Sequence, residues 1–180
     1  MDEGGTTAML VMAARGGDAA AVRSLYARFA CVVHGVLLGY VQHADADDLT
    51  QDVFQIALQR LSELREPAAF PGWLLRIARN AALTRVRQPR ALEIDATAMM
   101  VDGSAGPDTR LEAQHALAAI RSLPEAYRET LMLRLVEGLS GPEISERTGL
   151  TPGTVRVNLH RGMGLLRRAL GIGATQEVET

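Results

Sequence analysis

Residues 140–170, SGPEISERTGLTPGTVRVNLHRGMGLLRRAL, spell two capped helices joined by a tight turn, the pattern of a helix-turn-helix. Ser140 and Glu143 form an S-x-x-E capping box, in which each side chain meets a backbone N–H that the helix itself leaves unpaired. Gly149 suits the left-handed conformation that ends a helix, and Thr151 then caps a second one whose first position is Pro152, where a missing N–H costs nothing. Along that second helix Val155, Leu159, Gly162, Leu166 and Leu170 recur at steps of three and four and share one face. Arg156, Val157, His160 and Arg161 fall on the other. An apolar back with a cationic front near the N-terminal end is the form that enters a DNA major groove, where arginine bridges guanine. The rival reading is a helical hairpin whose arginines are merely solvated. Charge favours a polyanion: no acid occurs between Arg147 and Gln176, an interval that also holds Arg156, Arg161, Arg167 and Arg168.

The 180 residues suit one domain or two small ones, and a hydrophobic content of 47% is enough for real cores. Aromatics at 4%, seven prolines and almost no period-two alternation predict an all-α protein. All basic residues are arginine, the better bidentate binder of phosphate and bases. A formal charge of −2 excludes a protein that coats DNA by bulk attraction, so any DNA contact is local. Cys31 is the only cysteine, which excludes an internal disulfide and a thiolate metal site. Asp2 and Glu3 replace the positive start of a signal peptide, and the apolar run over 32–41 is broken by His34 and too short to span a bilayer. Cytoplasmic placement without membrane insertion is expected.

In chain order, Asp18 caps a core helix in which Val22, Leu25, Tyr26, Phe29, Val32, Val33, Val36, Leu37 and Tyr40 keep helical spacing. Gly35 and Gly39 each cost about 1 kcal/mol relative to Ala, so they predict a bend or a close approach. Next comes an acidic helix start with Asp45, Asp47, Asp48 and Asp52, where the helix dipole favours anions, followed by a buried stripe of Leu49, Val53, Ile56, Ala57, Leu61 and Leu64. It reads either as a solvated helix start or as a docking surface for a basic partner. The EPAAFPG segment over 66–72 is a loop. The helix after it carries Arg76, Arg79, Asn80 and Arg87 within one arc of about 100°, a second cationic strip, beside an apolar face with Trp73 and Ile77. Trp73 reads as core, or as an aromatic placed to stack on an unpaired base. The expected organisation is a first domain over 8–89, a flexible acidic linker over 90–110 and a four-helix bundle over 111–171 that contains the helix-turn-helix. The histidines at 34, 43, 115 and 160 show no ligand spacing, and no nucleophile–base pair or phosphate loop occurs, so neither metal, cofactor nor enzymatic activity is expected.

Three stretches in this order resemble the extracytoplasmic-function group of bacterial RNA polymerase sigma factors. DDLTQDVFQIAL (47–58) is similar to the group's core-polymerase-binding helix, FPGWLLRIARNAALTRVR (70–87) to its promoter-melting and minus-ten helix, and LPEAYRETLMLRLVEGLSGPEISERTGLTPGTVRVNLHR (123–161) to its minus-thirty-five domain. The resemblance implies that Asp48, Gln51, Asp52 and an exposed Phe54 bind core RNA polymerase. It also implies that the 62–70 loop receives a flipped base of promoter DNA beside Arg76, Arg79, Asn80 and Arg87. By the same resemblance the linker runs toward the RNA exit path, and a cognate anti-sigma factor is among the partners. The sequence departs from the family pattern at Val157, Asn158, Gly162 and Met163, where Ser, Arg, Ala and Arg are frequent, at Thr84, where Asp is frequent, and at Ser145, where Ala is. The competing identities are a stand-alone helix-turn-helix regulator and a sigma-like helical adaptor. Neither explains an acidic helix followed by an arginine strip in the first domain.

Overall fold

The first apolar helix starts where Asp18 accepts from the backbone N–H groups of Ala20 and Ala21 at 2.7 and 3.3 Å. The computed structural model describes residues 3–87 and 107–172, and eight α-helices lie within them: α1 (Glu3–Arg15), α2 (Ala19–Leu38), α3 (His43–Gln59), α4 (Phe70–Arg87), α5 (Pro107–Arg121), α6 (Glu125–Leu135), α7 (Gly141–Thr148) and α8 (Pro152–Ala169). No strand occurs among the described residues, so the chain is all-α. The expected linker lies outside the described residues as far as 106, and α5 begins at Pro107. Helix α1 is not foreseen by the sequence reading, because its EGGTTAM start lacks a cap and a clear stripe; Val11 nevertheless is fully buried.

Four helices make the first domain around α2. Leu25, Phe29, Val32, Val33, Val36 and Leu37 of α2 are all but inaccessible, and the Phe29 ring meets that of Phe70 edge-on at 5.4 Å. Contrary to the expectation drawn from the 32–41 run, α2 is long and apolar enough to cross a membrane, and half of that span is buried inside the molecule. Its hydropathy follows from being enclosed by α1, α3, α4 and α6, since a helix surrounded by others is apolar all round. On α3 the buried face is Ala46, Thr50, Val53, Phe54 and Ala57, rotated from the expected stripe, so that Leu49 and Ile56 are only half-buried.

The second domain forms as its caps dictate. The backbone N–H of Ser140 donates to Glu143 Oε2 at 2.8 Å and that of Glu143 to Ser140 Oγ at 3.4 Å, which completes the capping box. Gly149 has φ 75°, and the Thr154 N–H donates to Thr151 Oγ1 at 3.2 Å. Helix α8 crosses α6 at Gly162, where a Cβ would lie 3.1 Å from Leu131 Cδ1. Ile144, Val155 and Leu166 close on Leu131 and Met132 to form the core.

The two domains meet along α2 and α6. A Cβ at Gly35 would stand 2.7 Å from Glu137 Cγ and 3.0 Å from Leu133 Cδ2, so the glycine marks a close approach. Arg121 donates from Nε to Leu38 O at 3.0 Å and from Nη2 to Val41 O at 2.8 Å, meeting carbonyls that the end of α2 leaves open. Arg128 lies over the Tyr40 ring, 4.9 Å from its centre. Gly35→Val is therefore expected to lower stability by about 1–3 kcal/mol through overpacking, despite the better helix propensity of Val. Denaturant unfolding beside Gly164→Val, a helical position where a Cβ meets nothing within 4 Å, checks it; equal effects would refute the close approach.

Candidate nucleic-acid interface

Arg156, Val157, His160 and Arg161 are all exposed on α8, and Val155, Asn158, Gly162 and Leu166 are buried behind them. Val157 presents its methyls to solvent at 45% exposure. Asn158, one of the departures from the family pattern, faces inward: its amide donates to Thr130 Oγ1 at 3.4 Å, and Thr130 donates to Ala126 O at 2.7 Å. It positions α8 on α6 and takes no part in the exposed face. Ser145, another departure, donates to Leu150 O at 2.7 Å and fixes the turn between α7 and α8.

On α4 the cationic strip divides. Arg76, Asn80 and Arg87 are exposed as expected, but Arg79 is not a free cation. Its Nε donates to Glu129 Oε1 at 2.6 Å and its Nη2 to Glu129 Oε2 at 2.7 Å, while Glu125 approaches to 3.4 Å. The hydrogen bonds to Glu129 raise the guanidinium pKa further, outweighing partial burial. The Tyr40 hydroxyl donates to Glu129 Oε1 at 2.9 Å; its own pKa is pushed up, first by burial and then by the Glu129 charge. The expectation that Arg79 belongs to an open DNA-facing strip is thus corrected for this arrangement of the domains. Arg76, Asn80 and Arg87 lie within an arc of about 40° on the helical wheel, whereas Arg79 sits about 60° to the side, and the second domain occupies that side.

Arg76 and Asn80 line a cavity of about 710 Å³ together with Trp73, Arg60, Leu64 and Glu66. Its rim is the 62–70 loop, tied down from α1 by Arg15, which donates from Nε to Leu61 O at 3.1 Å and from Nη2 to Leu64 O. Trp73 is half-buried in its wall, 6.1 Å from the Phe70 ring. An aromatic edge beside cationic and amide groups is suited to holding an unstacked base and its phosphate.

The acidic start of α3 also divides. Asp48, Gln51 and Asp52 are exposed. Phe54, expected as an exposed anchor, is instead 5% exposed and packs on Tyr26 at 4.7 Å. It follows Val53 around the wheel into the core, because α2 covers that flank. Asp45 is buried and accepts from Arg85 Nη2 at 2.7 Å, and the partner charge holds the Arg85 guanidinium pKa above its usual value. Asp47 meets His43 at 3.1 Å and His34 at 3.3 Å. That histidine cluster is absent from the sequence reading, since His34 and His43 belong to different helices.

An all-α chain with a cation-fronted helix-turn-helix and a second cationic strip beside an open groove has the form of a DNA-binding protein. Residues 25–91 match the family model for Sigma-70 region 2, and residues 114–166 that for Sigma-70, region 4. The RNA polymerase sigma factor CarQ of Myxococcus xanthus is 36% identical over 87% of this chain and 93% of its own length. The ECF RNA polymerase sigma-E factor of Escherichia coli K12 is 31% identical over 89% and 92%. In fold the chain is similar to CnrH in its complex with the cytosolic domain of CnrY (TM-score 0.61, 24% identity, 93% of this chain and 98% of that one). It is also similar to the sigma factor RpoE of Bartonella quintana in complex with the anti-sigma factor NepR (TM-score 0.54, 20% identity, 84% and 96%). The chain belongs to the extracytoplasmic-function group of RNA polymerase sigma factors. It is an alternative sigma factor that directs promoter recognition, and its relatives are not enzymes. A stand-alone helix-turn-helix regulator has no place for the region 2 match.

A double-mutant cycle on Arg79→Ala and Glu129→Ala is expected to give a coupling energy of about 0.5–3 kcal/mol, toward the lower end because Arg79 is 30% exposed. Chemical unfolding of the four proteins checks it. Additive effects would refute the pair.

Proposed function

We propose that the exposed α8 face reads the minus-thirty-five element, that the α4 strip and the 62–70 cavity hold the melted minus-ten element, and that Asp48, Gln51 and Asp52 dock on core RNA polymerase. The observation that carries this reading is the exposure of Arg156, Val157, His160 and Arg161 on a helix whose opposite face is buried. Within that face, Arg156 makes a bidentate base contact near the start of α8, Val157 offers methyls that suit a thymine methyl, and Arg161 meets phosphate. Core binding by the acidic start of α3 rests on charge steering without the aromatic anchor, because Phe54 is in the core.

Arg79 cannot hold Glu129 and a DNA phosphate together, so the α2–α6 interface opens when the chain joins core polymerase and promoter DNA. The solved relatives in complex with CnrY and NepR support a cognate anti-sigma factor as a further partner. The site of action is the cytoplasm, with the polymerase.

Promoter-library selection on reconstituted holoenzyme tests the assignment. Arg156→Ala is expected to lose about 1–3 kcal/mol of discrimination at one base pair, and Val157→Ser to change preference more than affinity. Arg161→Ala is expected to weaken all promoters alike and to reduce the salt slope by about one. Unchanged upstream preference in both Arg156→Ala and Val157→Ser would refute the groove-facing side. Asp52→Arg, folded by circular dichroism, is expected to lose competition for core; undiminished competition would leave the acidic start a solvated face.

A further inference from the structure

The side chains of His34, His43 and Asp47 converge at the corner where α2, α3 and the end of α6 meet. One ligand atom from each lies within 4.8 Å of the other two. His34 Nε2 stands 3.3 Å from Asp47 Oδ1, and His43 Nδ1 stands 3.1 Å from Asp47 Oδ2. Those separations, made to the two different oxygens of one carboxylate, are comparable to the edge of a tetrahedron built on metal–ligand bonds of about 2.0–2.2 Å, roughly 3.3–3.6 Å. A helical pair spaced by four residues accounts for His43 and Asp47, but not for the arrival of His34 from another helix.

The His34 ring is oriented from behind. Its Nδ1 is 3.0 Å from Glu137 Oε1, while the buried Nε2 faces Asp47 Oδ1 at 3.3 Å without the geometry of a hydrogen bond. A ring that donates from Nδ1 to the carboxylate presents the Nε2 lone pair to Asp47 and His43. A carboxylate behind a ligating imidazole fixes the tautomer and strengthens the ligand, the usual outer layer of a protein metal site. Two imidazoles and one carboxylate suit zinc and its late first-row neighbours over calcium or magnesium.

We propose that His34, His43 and Asp47 bind a late first-row divalent cation of the zinc class, with solvent in the remaining position and Glu137 as the positioning carboxylate. Glu137 belongs to the second domain, whereas the three ligands belong to the first. An occupied site therefore favours the closed α2–α6 contact, and by linkage it opposes whatever state separates the domains. That consequence rests on the opening proposed above; the site itself does not.

Titration of the chelator-stripped full chain with Zn2+ by calorimetry is expected to give one ion per chain, and Co2+ to give the intense visible bands of a four-coordinate site. His43→Ala and Asp47→Ala are expected to lose both signals while keeping the parent's circular dichroism, and His115→Ala to keep them. Glu137→Ala is expected to weaken Zn2+ roughly tenfold or more. No stoichiometric binding by the parent, or equal binding by His43→Ala and Asp47→Ala, would overturn the site. Unchanged affinity in Glu137→Ala would overturn its tie to the second domain. Zn2+ is further expected to lower the affinity of the parent for core polymerase, less so in Glu137→Ala. Stoichiometric Zn2+ binding with unaltered core affinity would leave the site standing and overturn its coupling to opening.

Discussion

A carboxylate taken out of water has to be met by donors, and Glu129 on α6, only 7% exposed, finds them in the other domain. Arg79 of α4 and Tyr40 at the end of α2 both donate to it. Truncating Arg79 while the domains stay closed would leave Glu129 buried without its cation, a loss that typically exceeds the worth of the pair itself. The close contact at Gly35, the Arg121 bonds to the carbonyls of Leu38 and Val41, and the cation over Tyr40 line up along the same seam. Polar groups thus fit the two small helical bundles to each other around the apolar contact between them.

The same seam separates the functional surfaces by availability. The front of α8 stands clear of it and is open to a groove, whereas one arginine of the α4 strip is spent on Glu129. Interfaces within a chain tend to open where water and a new partner can replace their bonds; here those bonds flank an apolar contact that runs from Leu37 and Leu38 to Ile120, Leu123 and Leu133. The ion pair between Arg28 and Glu146, and Arg147 donating to Cys31 Sγ at 3.3 Å, carry that character to the helix-turn-helix itself. A sigma factor that must meet both polymerase and promoter DNA gains from such a boundary.

Much of the fold is legible before any coordinates. The Ser140–Glu143 box, the Gly149 stop and the Thr151 cap are local chemistry, decided within four residues, and they fix both the existence of α7 and α8 and the face that α8 turns outward. Asp18 and the apolar run after it announce α2 for the same reason. Gly35 even signals the close approach, although not the helix that makes it. Helix α1 escapes because its start offers neither cap nor stripe.

What sequence alone determines here is the helices from α2 onward and their order, the outward Arg156, Val157, His160 and Arg161, and through three ordered motifs the family. Tertiary structure decides what each helix turns toward its neighbours. Phe54 and Asn158 go inward because α2 and α6 cover those flanks, and a wheel shows periodicity without saying which side is covered. Arg79 meets a partner 50 residues away and His34 one 103 residues away, distances over which no pattern in the chain carries information. Burial and charge pairing depend on the whole packing, so those contacts exist only once two domains have closed on each other.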